Sequence, residues 1–216
     1  MEYTVSIRIN LPEEIATILQ KEKERFVAEY GSGYKSDPHI TLYFDRYNQE
    51  GFPRLIHNLQ ELQVEPFTIS LLRPEVRREE DRRRNLYVMA VSNKESLRQL
   101  QVSVSEIAIS YESPLLRSKV KKRLAEQGIH IDGKRENLKL HDSALVTSVF
   151  DPHITLGEVG LDDPQPDLAI VQKNLEQLEG KQVDVSSFVV HFHEKKDGDE
   201  KYKLIEKVSV PLVEIG

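Results

Sequence analysis

Asp37-Pro38-His39-Ile40-Thr41-Leu42 recurs letter for letter as Asp151-Pro152-His153-Ile154-Thr155-Leu156. In each copy an Asp-Pro turn signal precedes a short run rich in β-branched and apolar residues, the pattern of a strand beginning. Successive side chains on a strand point to opposite faces, so His39 and Thr41 share one face and Ile40, Leu42 and Phe44 the other. His153 and Thr155 share a face in the same way, with Ile154 and Leu156 behind them. A duplication kept for folding alone would hold the proline and the apolar positions. Here the polar His and Thr are repeated too, in a chain with only seven histidines, so the pair reads as functional.

Before the first copy, Tyr3, Val5, Ile7 and Ile9 alternate with Thr4, Ser6, Arg8 and Asn10, which predicts a strand with one apolar and one polar face. Asn10, with Glu13 three residues on, is the expected cap of a helix carrying Ile15, Ile18, Leu19, Phe26 and Tyr30, ended by Gly31-Ser32-Gly33. Gly51 and Pro53 introduce a second helix with Leu55, Ile56, Leu59 and Leu62, and Phe67, Ile69 and Leu71 alternate as a strand. Leu86 to Val91 reads as a strand buried on both faces. Between these strands, Arg77 to Arg84 reads as a solvated hairpin tip, whose closing Arg82, Arg83 and Arg84 are candidates to touch a nucleic-acid backbone.

Ser92 with Glu95 opens a third helix and Ser113-Pro114 a fourth. Asp132-Gly133 marks a hairpin, and Ala144 to Phe150 a strand leading to the second motif. Beyond that motif, Asp162-Asp163-Pro164 leads to a helix with Leu168, Val171, Leu175 and Leu178. A hairpin closes the chain: Val183 to His193, a turn at Asp197-Gly198, then Tyr202 to Val210. Similar element sets surround both motif copies, and the tight hairpins imply antiparallel sheets with helices on one face, hence an α+β fold. With helices over the apolar faces, the polar faces are free to line a groove. Arg8 and Ser6 then fall on the same sheet surface as a motif pair.

The 216 residues suffice for a full core, as one domain or two small lobes. No apolar run reaches membrane-span length and the chain starts directly on a strand pattern, so a cytoplasmic location is expected. The absence of Cys excludes disulfides, thiol catalysis and thiolate metal sites. A net charge of −6 argues against bulk nucleic-acid binding, which draws on a basic surface. Recognition of a single phosphate or a nucleic-acid end stays open.

Two imidazoles facing one groove suit general acid–base catalysis, one taking a proton from water while the other gives one to a leaving alkoxide. Each Thr hydroxyl can donate to a non-bridging oxygen and hold the reacting group between the histidines. A phosphate has oxygens enough for both hydroxyls and both bases, and the near-symmetry fits in-line displacement at phosphorus. Two histidines without paired carboxylates leave a zinc site short of ligands. His191 and His193 add an i, i+2 pair on the polar face of their strand, which reads as a solvated face in preference to a groove wall. His141-Asp142-Ser143 lacks the flanking pattern, and His57 and His130 have no evident partners. Tyr43 and Gly157 follow the repeated strings and, by period two, fall on the His/Thr face. Tyr43 then either offers a base a stacking surface or packs at the sheet edge.

The tetrads His39-Ile40-Thr41-Leu42 and His153-Ile154-Thr155-Leu156, each preceded by proline, resemble the signature of the 2H phosphoesterase superfamily. The similarity is strongest to its branch of 2′-5′ RNA ligase-like proteins and cyclic phosphodiesterases, and it extends over nearly the whole chain. That resemblance implies a bilobed, pseudo-two-fold α+β fold of antiparallel sheets, with helices on the outer faces and a central cleft. Residues 1–216 would form a single such domain, with an insertion around 111–150 that lengthens the spacing between the histidines. It also implies metal-independent hydrolysis of a cyclic phosphodiester, a 2′,3′-cyclic nucleotide or an RNA 2′,3′-cyclic phosphate end. By position, His39 and His153 carry over as the acid–base pair and Thr41 and Thr155 as phosphate ligands; Tyr43 and Arg8 are candidate substrate contacts from the strand alternation alone. The alternatives are 2′-5′ RNA ligase or 2′-5′ phosphodiesterase chemistry, and a nucleotide-binding module without turnover. A small nucleotide or RNA terminus is the implied partner, with no cofactor, metal or membrane, and the protein is expected to be a monomer.

Overall fold

The computed structural model describes residues 2–31, 36–47, 49–79, 83–109, 151–196 and 202–213. The helix expected from Ser113, the hairpin at Asp132-Gly133, the strand over Ala144 to Phe150, His130, His141, Arg82 and the turn at Asp197-Gly198 lie outside the described residues.

Among the described residues eight strands form one antiparallel order, β6-β3-β4-β5-β2-β1-β7-β8. They are β1 (Glu2–Asn10), β2 (His39–Tyr47), β3 (Phe67–Glu79), β4 (Arg84–Val91), β5 (His153–Gly160), β6 (Gln182–Val185), β7 (Ser187–Lys195) and β8 (Lys203–Pro211). The two motif strands, β2 and β5, are the central neighbours, joined through the single pair Ile40 and Ile154. Each is flanked in turn by an antiparallel partner (β1 or β4), so the halves are related by a pseudo-two-fold axis through that pair. The α+β class and the two-lobed antiparallel design expected from the sequence hold.

Helices cover the apolar face. They are α1 (Glu13–Tyr30), α2 (Phe52–Gln60), α3 (Lys94–Ile109) and α4 (Leu168–Asn174). α1 packs on β5 and α3 on β2, so each helix covers the motif strand of the opposite half. Ile7, Ile9, Ile40, Met89, Ile154 and Leu156 join Leu19, Phe26, Leu100 and Val104 in one contiguous core, which fixes which side of the sheet is inside. Alternation in β1 then sends Thr4, Ser6 and Arg8 to the other side. β4 is buried on both faces. Tyr87, Met89 and Val91 belong to the core, while Leu86, Val88 and Ala90 are buried apart from it, on the groove side.

Both motif strands carry a bulge at the same place. Arg8 faces Thr41 but Ile7 faces Tyr43, which leaves Leu42 as the extra residue. Val88 faces Thr155 but Tyr87 faces Gly157, which leaves Leu156 extra. The bulge reverses the parity of everything after it. Tyr43 turns into the core at 8% exposure, and Phe44 comes out on the groove face at 43%. Gly157 likewise turns toward α1, where a Cβ would sit 2.5 Å from Phe26 Cδ1. Gly157→Ala is therefore expected to destabilise the fold by about 1–3 kcal/mol, through overpacking against that ring. Thermal melts measure this, and an unchanged midpoint would show that Phe26 does not press on β5.

Several boundaries differ from the sequence pattern. Asn10 does not cap α1: it stays in the β1 ladder opposite His39, and Pro12 stands at the helix start. α3 is capped one residue late, by Asn93, whose Oδ1 accepts from the Ser96 N–H at 3.4 Å. Ser92 Oγ instead accepts from the Ser70 N–H at 2.7 Å. β3 runs on to Glu79 across a register shift near Pro74, so Arg77 and Arg78 are strand residues and not a hairpin tip. The run Val183 to His193 is broken at Ser186: β6 pairs with β3 at one edge, and β7 crosses to pair with β1 in the other half.

Candidate active site

The pairing of Ile40 with Ile154 brings the two motifs together. Both isoleucines are fully buried on the core side, so their neighbours His39, Thr41, His153 and Thr155 face the groove. Continuing an antiparallel register through that pair sets His39 across from Thr155 and Thr41 across from His153. In a regular ladder such diagonal neighbours lie roughly 7–8 Å apart, somewhat less at Cβ, a gap suited to one tetrahedral anion.

The ring orientations match in the two halves. His39 Nδ1 lies 2.6 Å from the Asp37 carbonyl oxygen, and His153 Nδ1 lies 2.7 Å from that of Asp151. A carbonyl has no proton to give, so each Nδ1 carries the hydrogen and donates it, and each Nε2 keeps its lone pair. The Asp at the start of each repeat thus fixes the tautomer through its backbone. Arg77 Nη1 stands 2.9 Å from His153 Nδ1 and also donates to the Asp151 carbonyl at 3.3 Å. Two donors share that acceptor, so Arg77 is a cation beside the ring and not a donor to it.

Burial pushes the His39 pKa down to about 4, opposed by the bond to Asp37 and reinforced by Arg8 and Lys23. His153 is lowered as well, by burial and by Arg77, against the Asp151 carbonyl bond and the charges of Asp151 and Glu79. Both rings are neutral in the free protein at neutral pH. Lys23, 2% exposed on α1, donates to the Ser36 carbonyl at 2.5 Å and ties the helix to the segment entering β2. Its own pKa falls to about 8, chiefly through burial.

The two halves differ in how their cations are balanced. Arg77 is paired with Asp151 at 2.8 Å and donates to Glu75 at 2.8 Å. Arg8 instead faces imidazoles: Nη1 is 3.5 Å from His39 Nδ1, and Nη2 donates to His191, 3.0 Å from its Nε2 and closer to Nδ1. His191 is 4% exposed, so it is part of the groove floor and not the solvated face its strand pattern indicated. It lies opposite Ser6 because β7 pairs with β1. His193 stands beside it, ring centroids 5.8 Å apart. Among the described residues of the charge run, Arg83 is ion-paired to Asp162 at 2.7 Å and Arg84 to Glu79 at 2.6 Å and to Glu158. Charge partners thus occupy these two of the arginines read as backbone contacts. Tyr43 is absent from the groove for the reason given above, and the exposed aromatic there is Phe44, opposite Ser6.

Stability should follow these imidazoles. His39 and His191 both have pKa values lowered to about 4, so the unfolded chain, near 6.5, binds more protons between those values. Their contribution is complete above pH 6.5 and is lost as pH falls toward 4. The melting temperature is expected to drop across that window, and the drop to be shallower in His39→Gln/His191→Gln. An equally steep drop in the double variant would assign it to other groups.

Among the described residues no helix is long and apolar enough to cross a membrane. The fold is similar to that of Escherichia coli LigT solved with 3′-AMP, at 16% identity and TM-score 0.55, covering 97% of this chain and 99% of that one. TT0787 of Thermus thermophilus superposes at 19% identity and TM-score 0.53, covering 97% and 98%. A solved phosphoesterase does so at 16% identity and TM-score 0.56, covering 98% and 99%. No curated protein sequence matches. Residues 11–197 match the family described as the 2′-5′ RNA ligase superfamily, and with both His-x-Thr strands paired at its centre the chain belongs to that family, the 2H phosphoesterases.

Proposed function

We propose that the protein is a phosphodiesterase that hydrolyses a cyclic phosphodiester, a 2′,3′-cyclic nucleotide or an RNA 2′,3′-cyclic phosphate end, by two-histidine acid–base catalysis. The observation that carries this reading is the Ile40–Ile154 pair, which sets both His/Thr faces side by side with both Nδ1 atoms spent on backbone carbonyls. One Nε2 removes a proton from water as its oxygen bonds to phosphorus. The P–O bond to the ribose oxygen on the far side breaks, and the second imidazolium gives that oxygen its proton. Thr41 and Thr155 donate to the non-bridging oxygens, where negative charge grows.

Charge balance distinguishes the two roles. His39 adjoins Arg8, which has no carboxylate in ion-pair contact among the described residues, whereas the cation next to His153 is neutralised by Asp151 and Glu75. His153 is therefore the easier ring to protonate when an anionic substrate arrives, which makes it the acid and His39 the base. Phe44 offers an aromatic surface on the same face for a nucleobase. The complex of the similar LigT with 3′-AMP is in keeping with a nucleotide ligand.

The test is a panel of nucleoside 2′,3′-cyclic phosphates and 2′-5′- and 3′-5′-linked dinucleotides, with product regiochemistry read by phosphorus NMR and a chelator arm. Turnover of the cyclic substrates, retained with chelator, is expected. Turnover of only the 2′-5′-linked dinucleotide would replace this reading by 2′-5′ linkage chemistry. Tight nucleotide binding with no turnover of any substrate would replace it by a binding module.

A further inference from the structure

We propose that Arg8 and His191 form a second anion subsite beside the catalytic gap, so that the preferred substrate carries a second phosphate on the His39 side. This deepens the reading above and rests on it for the identity of the first phosphate.

Pseudo-symmetry isolates the feature. Arg8 stands across from Thr41 on β1, and the equivalent place across from Thr155 on β4 is held by Val88, fully buried. The other half also has a guanidinium beside its histidine, Arg77 on β3, but that one is paired with Asp151 and Glu75. What needs its own explanation is a guanidinium placed across from Thr41 with no carboxylate partner among the described residues.

Arg8 is 9% exposed, and its Nε is buried without a hydrogen-bond partner. Its other donors face only imidazoles, and no carboxylate lies within ion-pairing distance of it among the described residues. The Asp37 charge acts on it only from farther off. Burying a guanidinium without an anion costs several kcal/mol, and a ligand phosphate, for which a planar fork of donors is well shaped, would supply the anion. The surroundings agree. From Thr4 to Arg8 on β1 and from Val189 to His193 on β7, this face presents hydroxyls, imidazoles and the guanidinium but no acid, and Lys207 lies opposite His191 on β8. In the other half β4 presents Leu86, Val88 and Ala90 beside the gap, and the charges next to it, Arg77 with Glu75 and Asp151, are paired with one another. Among the described residues, the guanidinium beside a motif histidine that lacks a carboxylate partner therefore lies on one flank of the gap only. Strands lie about 5 Å apart, so a group held between β1 and β7 sits roughly one to two strand widths from β2, a distance that one nucleotide can span. Arg8 meets His39 at Nδ1, the nitrogen turned away from the reacting anion, which makes the two phosphate positions distinct.

The second phosphate can be the neighbouring phosphodiester of an oligonucleotide or a terminal phosphomonoester. Three substrates separate these sources: a nucleoside 2′,3′-cyclic phosphate, the same compound with a 5′-phosphate, and a dinucleotide ending in the cyclic phosphate. One of the two phosphate-bearing substrates is expected to exceed the bare one in kcat/KM by about tenfold or more, through a lower KM. Whichever does so identifies the source. Arg8→Gln and His191→Gln should bring that ratio close to one, while Arg8→Lys keeps part of it. Because the ratio is read within each variant, losses of folding or chemistry cancel. A ratio near one in the wild type, or an unchanged ratio in Arg8→Gln, overturns the subsite. Calorimetry with a nucleoside 3′,5′-bisphosphate against the 3′-monophosphate gives a readout free of turnover. If no cyclic substrate is hydrolysed but the bisphosphate binds tighter and Arg8→Gln abolishes the difference, the subsite stands and the reaction assignment falls.

Discussion

Replacing His39 or His153 by Ala is expected to lower kcat/KM on a nucleoside 2′,3′-cyclic phosphate by roughly 10²–10⁴-fold each, the usual worth of a positioned general acid or base. The double variant should be little worse than the poorer single one, since both act in one step and such losses do not add. The two variants should differ in one respect. An aryl phosphodiester expels a phenolate that needs no proton, so it should recover much of the loss in His153→Ala and little in His39→Ala. The opposite pattern would exchange the acid and base roles. Retention of most activity in either variant would remove that residue from the reaction. The pH profile tests the base: the His39 pKa is lowered to about 4 in the free protein, so the rising acid limb of kcat/KM should lie well below pH 6.5.

The second large effect concerns the hydroxyls. Thr41→Val and Thr155→Val keep shape and strand preference but delete one donor each, so stability should hardly move. Activity should fall by roughly 10²–10³-fold per hydroxyl, if each donates to a non-bridging oxygen whose charge grows in the transition state. Because the loss is in transition-state binding, kcat should suffer more than KM. If both Val variants stay within about threefold of wild type in kcat/KM, the hydroxyls are not phosphate ligands and the gap is organised by other groups.

The recurrence of one six-residue string was enough to place His39, Thr41, His153 and Thr155 on two like strands, because the i, i+2 relation is set by the backbone over three residues. Period-two reasoning stopped working one step later. Bulges at Leu42 and Leu156 turned Tyr43 and Gly157 inward and brought Phe44 out, and nothing local in the string marks an extra residue. Gly157 was the one available hint, since a strand glycine often accommodates a close neighbour, here Phe26. A second break is legible in the pattern. Val183 and Val185 are buried at odd positions and Phe188, Val190 and Phe192 at even ones, a change of parity that marks the crossing at Ser186. The cations were the least legible part of the site. Arg77 lay in a run that resembles any solvated charge cluster, and His191 lay on a strand face that a partner strand could equally have left open to water.

By itself, the sequence determined the α+β class, the two strand-borne His/Thr pairs and the apolar face that anchors each, because all of these follow from alternation and turn chemistry within a few residues. Only the tertiary structure decided that Ile40 meets Ile154, that Arg8 reaches His191 and that Arg77 finds carboxylate partners in Asp151 and Glu75. Those facts depend on which strands become neighbours and in what register. That choice is made by burial of the whole apolar face at once, and no short stretch of chain contains it.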